Sequence, residues 1–153
     1  RFVVEVAKAV AAAIGGDKVG IRLSPYGMAS GMTPYPEVDE TYLGLTKALA
    51  EAGLIYLHIA NHAAMGNPPI PAALLASLRA AWPHTFFLGG SFDLASGQAA
   101  VDAGESDLVG IGRAFIANPD LVTRLKNGTP LAAMNGDALY TPGAAGYTDY
   151  PNA

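Results

Sequence analysis

Glycine gathers with polar residues at two places in this sequence, each just past a short apolar run. Gly89-Gly90-Ser91-Phe92 follows Thr85-Phe86-Phe87-Leu88, and Gly112-Arg113-Ala114-Phe115 follows Leu108-Val109-Gly110-Ile111. Glycine lets the backbone come close to a ligand, free N–H groups at a helix start attract an anion, and a guanidinium adds a two-pronged donor. The chemistry this suits is phosphate binding. Either pair alone reads equally well as a tight turn beside a solvated arginine; their recurrence at consecutive strand ends favours the anion site.

Arg22 stands inside an apolar strand, on the face that alternation gives to Gly20 and Ser24 and away from Val19, Ile21 and Leu23. A guanidinium on an inward face needs an anionic or electron-rich partner, supplied by a ligand or by a carboxylate on another strand. His58 and His62 have no third ligand at metal spacing, so they read as a hydrogen-bonded core residue and a loop residue, with no metal expected. Tyr26, Tyr35, Tyr140, Tyr147 and Tyr150 fall in loops, where a phenol packs, closes a lid or covers a flat ligand. No nucleophile elbow, P-loop or Rossmann fingerprint is present, since Gly110-Ile111-Gly112 continues as Arg113-Ala114-Phe115.

The elements that must carry these residues alternate. A helix with Phe2, Val3, Val6, Val10 and Ala13 at helical spacing ends at Gly15-Gly16, with no capping residue before it, so Arg1 is not expected to be a natural start. A strand over 19–24 precedes a Gly/Pro-rich loop over 25–36. Asp39 is expected to cap a helix bearing Tyr42, Leu45, Leu49 and Ala52, closed by Gly53, and 54–59 is the next strand. A helix from Pro71 carries Leu74, Leu75, Leu78 and Trp82 and stops at Pro83 before the strand at 85–88. Asp93 caps a helix that Gly104 terminates, and the fourth strand is 108–111. Asn118-Pro119-Asp120 reads as N-cap, first-turn proline and dipole-facing carboxylate for a helix over 121–127. From Met134 the tail shows no period.

Strand starts at 19, 54, 85 and 108 are 35, 31 and 23 residues apart, the spacing of βα units joined by right-handed crossovers. Four parallel units fit an open doubly wound sheet or half of a (β/α)8 barrel of roughly 250 residues, and in both folds ligands bind beyond the C-terminal strand ends. Composition narrows the partners: 9 basic against 13 acidic residues leave a net charge of −4 with no basic run, which argues against nucleic acid. There is no cysteine, and no apolar run near the roughly 20 residues of a membrane span, so a cytoplasmic location without membrane contact is expected.

The residues also resemble a known family. Gly20-Ile21-Arg22-Leu23-Ser24-Pro25 is similar to the fifth barrel strand of the Old Yellow Enzyme family. Leu88-Gly89-Gly90-Ser91-Phe92 resembles its seventh, Val109-Gly110-Ile111-Gly112-Arg113 with Phe115 to Leu121 its eighth, and Gly146-Tyr147-Thr148-Asp149-Tyr150-Pro151 the ending of its bacterial ene-reductase branch. The resemblance implies units five to eight of an FMN-binding TIM barrel over 1–133, with 134–153 as a tail at the active-site rim. It implies that Arg22 reaches the pyrimidine end of the flavin, that Gly90, Ser91, Gly112 and Arg113 hold the FMN phosphate, and that Tyr140 flanks the substrate pocket. It further implies hydride transfer from NAD(P)H through FMN to an activated alkene.

The family's substrate-gripping His/His or His/Asn pair, its proton-donating tyrosine and its flavin N5 contacts belong to the first four units, so no catalytic residue maps here. Asn61-His62 stands where many members have a carboxylate, and Tyr140-Thr141-Pro142 where they have a glycine-rich stretch. The expected partner is therefore the N-terminal half of the barrel as a second chain, and the isolated chain is expected to be inactive. Two rivals remain: a non-catalytic phosphate-binding half-barrel that associates with itself, and another FMN or sugar-phosphate barrel enzyme sharing only the phosphate site.

Overall fold

The computed structural model describes residues 1–33 and 35–153, without the Ser30 side chain; Pro34, in the loop expected over 25–36, lies outside the described residues. The chain divides into two compact units, Arg1–Gly110 and Ile111–Ala153.

The first unit alternates helix and strand: α1 (Phe2–Ile14), β1 (Gly20–Leu23), α2 (Val38–Glu51), β2 (Tyr56–Ala60), α3 (Ala72–Ala81), β3 (Thr85–Gly89), α4 (Leu94–Asp102) and β4 (Leu108–Gly110). The strands form one sheet in the order β1-β2-β3-β4, every pairing parallel. Sequential parallel order is what consecutive crossovers of one hand produce. The helices lie against one face, where Leu23, Leu57, Ile59, Phe86 and Leu88 form the core with Leu49, Leu74, Leu78 and Trp82. Leu49, Leu57, Ile59, Leu78 and Phe86 are wholly buried.

The turns before the strands are tied by side chains. Asp107 takes a two-pronged grip from Arg79, at 2.9 and 2.8 Å, and accepts from the Phe86 amide at 2.7 Å. Buried Ser106 accepts from the Leu88 amide at 3.1 Å and donates to the Phe86 carbonyl at 3.0 Å. Between them they fix β3 beside the start of β4. The Trp82 indole donates to the Thr85 carbonyl at 2.9 Å, which satisfies the polar edge of a buried ring. Asp93 caps α4 as expected, through a reciprocal pair with Ser96 that holds its carboxyl below the usual carboxylate range.

Two expected caps differ. Glu37 is the residue before α2, and Asp39 lies in the first turn, where its carboxylate accepts from the Tyr26 hydroxyl at 2.7 Å. That hydrogen bond, with burial and the nearby charge behind it, raises the Tyr26 pKa.

The second unit holds α5 (Arg113–Ala117), α6 (Leu121–Asn127) and the tail. Asn118 is not the N-cap of α6: it is fully buried, donates to the Ala114 carbonyl at 2.8 Å and accepts from the Ala132 amide at 2.8 Å. It thus clips the α5 end to the segment after α6. Arg124 pairs with Asp120 at 2.6 Å and donates to the carbonyls of Pro130 and Pro151 at 3.0 and 3.3 Å, while the Ala153 amide donates to Asp120 at 2.9 Å. The aperiodic tail is thereby fastened to α6.

Leu78 is fully buried at the centre of the helix layer. Leu78→Ala is expected to cost about 2–5 kcal/mol through lost burial and the cavity left behind, read as a lower urea midpoint at unchanged m-value.

Candidate functional site

Register fixes what the sheet presents on the side away from the helices. Gly20 pairs with Tyr56 and Tyr56 with Thr85; Arg22 pairs with His58, His58 with Phe87 and Phe87 with Leu108; Ala60 pairs with Gly89 and Gly89 with Gly110. Alternation puts all of them on one face. That face is open, with Tyr56, Leu108 and Arg22 all exposed. Arg22 therefore sits as the sequence indicated, and among the described residues no hydrogen bond or ion pair holds its guanidinium.

The rings on this face lie across glycines of neighbouring strands. A Cβ on Gly20 would overlap the Tyr56 ring, one on Gly89 would overlap His58 Nε2, and one on Gly110 would lie 3.0 Å from the Phe87 ring. His58 and Phe87 stack with centroids 4.1 Å apart at 17°. Gly89, read as part of a turn, is the last residue of β3, and its carbonyl accepts from the Asn61 amide at 2.7 Å. Its glycine character serves ring packing as well as any approach to a ligand. Sequence reasoning missed this tiling; its signal was three glycines within strands otherwise built from β-formers.

His58 Nε2 is buried and has no hydrogen-bond partner among the described residues. Burial, and then the positive charge of Arg22, lower the His58 pKa from its ordinary 6.5. With His58 Nε2 closed off over Gly89, it is the exposed Arg22 guanidinium that the open face offers to an anionic or electron-rich partner.

Beyond the β3 end, Gly90, Ser91 and Phe92 border a cavity of about 240 Å³, with Ile59, Leu75 and Leu88 in its wall. A Cβ on Gly90 would find Asn61 Cβ at 3.6 Å, ordinary contact. In the second unit, Gly112 directly precedes α5 and Arg113 opens it, with nothing within 4 Å of where a Gly112 side chain would begin. Tyr140, also in the second unit, is 94% exposed and has φ 61°, a left-handed backbone that an aromatic residue seldom adopts.

Residues 1–132 match the NADH:flavin oxidoreductase / NADH oxidase family. The chain belongs to that family. It is 40% identical to 12-oxophytodienoate reductase 2 of Arabidopsis thaliana over 157 residues, which takes in 99% of this chain and 41% of that protein. Among solved structures it superposes on morphinone reductase with a TM-score of 0.93 at 34% identity, over 100% of this chain and 41% of the other. The old yellow enzyme from Trypanosoma cruzi follows at 0.88 and 32%, over 98% and 39%. The chain thus spans about 40% of the length of the relatives it matches, and its parallel βα units are half of the TIM barrel of Old Yellow Enzymes. The resemblance read from the strand-end motifs is borne out. No helix among the described residues of this family member is long and apolar enough to cross a membrane.

Gly89→Ala is expected to lower thermal stability by about 1–3 kcal/mol, because the new methyl must displace the His58 ring. The His58 shift carries its own sign. With the folded pKa lowered, the unfolded chain takes up the proton first, so stability is full above about pH 6.5 and is lost as pH falls toward the folded value. Going from about pH 7 to about pH 5.5, wild type is expected to lose more stability than His58→Gln, measured as urea midpoints at both pH values; equal losses would show an ordinary imidazole.

Proposed function

We propose that this chain supplies barrel units five to eight of an FMN-dependent ene-reductase, an oxidoreductase that takes hydride from NAD(P)H and reduces activated C=C bonds of α,β-unsaturated carbonyl or nitro compounds. The observation that carries the reading is Arg22, a guanidinium on the open face with no carboxylate pairing with it among the described residues, in a chain of a flavin oxidoreductase family. When bound, FMN supplies the hydride-accepting and hydride-donating chemistry.

This chain's own residues bind and orient. Arg22 places positive charge at the pyrimidine end of the flavin, where it favours the reduced, anionic form. The amides of Gly90, Ser91, Gly112 and Arg113, with the Arg113 guanidinium, hold the phosphate. Support for this clamp is the recurrence of glycine at the ends of paired strands, with Gly89 opposite Gly110, and the open space beside Gly112. Exposed Tyr140 flanks the substrate pocket from the tail, 134–153, which forms the rim of a half-barrel comprising residues 1–133.

The groups that grip substrate and deliver the proton come from the companion N-terminal half, held as a second chain in the cytoplasm. The isolated chain is therefore inactive. Support for the companion is that relatives carry well over half their length beyond what this chain matches.

The test uses flavin absorbance. Mixed with its companion half, the chain is expected to retain FMN, to be reduced by NADPH and to be reoxidised by an enone. Arg113→Ala is expected to raise the FMN dissociation constant about tenfold or more, as loss of a charged hydrogen bond does. Unchanged retention would remove Arg113 from the phosphate site, and a chain that pairs only with itself and holds no flavin would favour the self-associating half-barrel.

A further inference from the structure

The loop that leaves β1 begins under strain, because Tyr26 has φ 64°, a left-handed backbone that a bulky residue keeps only where its surroundings over-determine it. Ties from two directions hold it. The Tyr26 hydroxyl donates to Asp39 at 2.7 Å and the Tyr42 hydroxyl to the Ser24 carbonyl at 3.2 Å, joining the loop to α2. From the loop after β2, Asn67 Oδ1 accepts from the Met28 amide at 2.7 Å, across 39 residues of chain. A Cβ built on Gly27 would meet the His62 ring at 3.7 Å, so the two loops run side by side.

Asn67 has a fixed base. Its Nδ2 donates to the His62 carbonyl at 3.3 Å, and that carbonyl also accepts from the Met65 amide at 2.8 Å. In the same loop Asn61 donates its amide to the Gly89 carbonyl at 2.7 Å and accepts from the Ala63 amide through Oδ1 at 3.0 Å. The loop after β2 is thus pinned to the tip of β3 on one side and reaches the loop after β1 on the other. A carboxamide suits this place, since one end accepts from an N–H while the other donates to a carbonyl.

We propose that Asn67 is a positioning residue for substrate, whose side chain holds the strained turn from Tyr26 to Met28 where it bounds the ligand space at the β1 tip. The inference rests on the ene-reductase reading above, in which ligands lie beyond the C-terminal strand ends and Arg22 reaches the flavin. Tyr26 follows Arg22 by four residues, so movement of the turn is felt close to that guanidinium. Met28, 42% exposed, presents an adaptable thioether at the surface of the same turn. Because Asn67 grips backbone rather than a reacting group, it acts on how firmly substrate is held and leaves the hydride and proton steps alone.

The test compares Asn67→Ala, which removes both hydrogen bonds, with Asn67→Asp, which keeps the oxygen that the Met28 amide needs. Circular dichroism checks that both variants fold. In the full chain, hydrogen exchange at the Met28 amide is expected to run about fivefold faster or more in Asn67→Ala and close to the wild-type rate in Asn67→Asp. In the flavin-loaded complex with the companion half, Asn67→Ala is expected to raise KM for cyclohexenone about fivefold or more while kcat stays within about twofold, and Asn67→Asp to recover most of the loss. A fall in kcat at unchanged KM, no rescue by aspartate, or a Met28 amide that exchanges equally in wild type and Asn67→Ala would each overturn the proposal. Failure of the underlying reading looks different. A wild-type complex that holds no flavin defeats the cofactor reading, while the exchange rates still decide whether Asn67 braces the turn.

Discussion

A parallel sheet has two faces to cover, and the first unit of this chain has helices for one. Leu57, Ile59, Phe86 and Leu88 take the covered face and are buried by α2, α3 and their own neighbours. The opposite face, bearing Arg22, Tyr56, His58, Phe87 and Leu108, meets solvent. Nearly every functional statement about the chain descends from that imbalance. On that side, among the described residues, the Arg22 guanidinium has no ion-pair partner and the buried His58 Nε2 no hydrogen-bond partner.

Charge and packing are coupled on that side. Burial, and after it the charge of its register neighbour Arg22, disfavours a proton on the His58 imidazole, so the positive charge of the row stays on one group. Phe87 holds the ring flat from the other side, and Gly89 leaves room for it. A single glycine so links the strand interior to the polar residues at the strand tip, Gly90 and Ser91.

Much of this was legible in the sequence. The β1 alternation put Arg22 opposite Ile21 and Leu23 because side chains on a strand must alternate, and the glycine and arginine motifs at the strand ends carried the family resemblance. What could not be read depended on tertiary partners. Asn118 has the local signature of a cap, yet its amide is used across the second unit to hold Ala114 and Ala132. Asp39 likewise looked like a cap and answers to Tyr26. A side chain that satisfies distant backbone leaves no periodic trace.

The clasp of Arg124 and Asp120 bears on how the protein should be handled. Two of its ties reach the last three residues, through the Pro151 carbonyl and the Ala153 amide. Removing residues 151–153 would leave the ion pair and the Pro130 contact in place but cut both ties to that segment, so the tail should loosen there while α6 is spared.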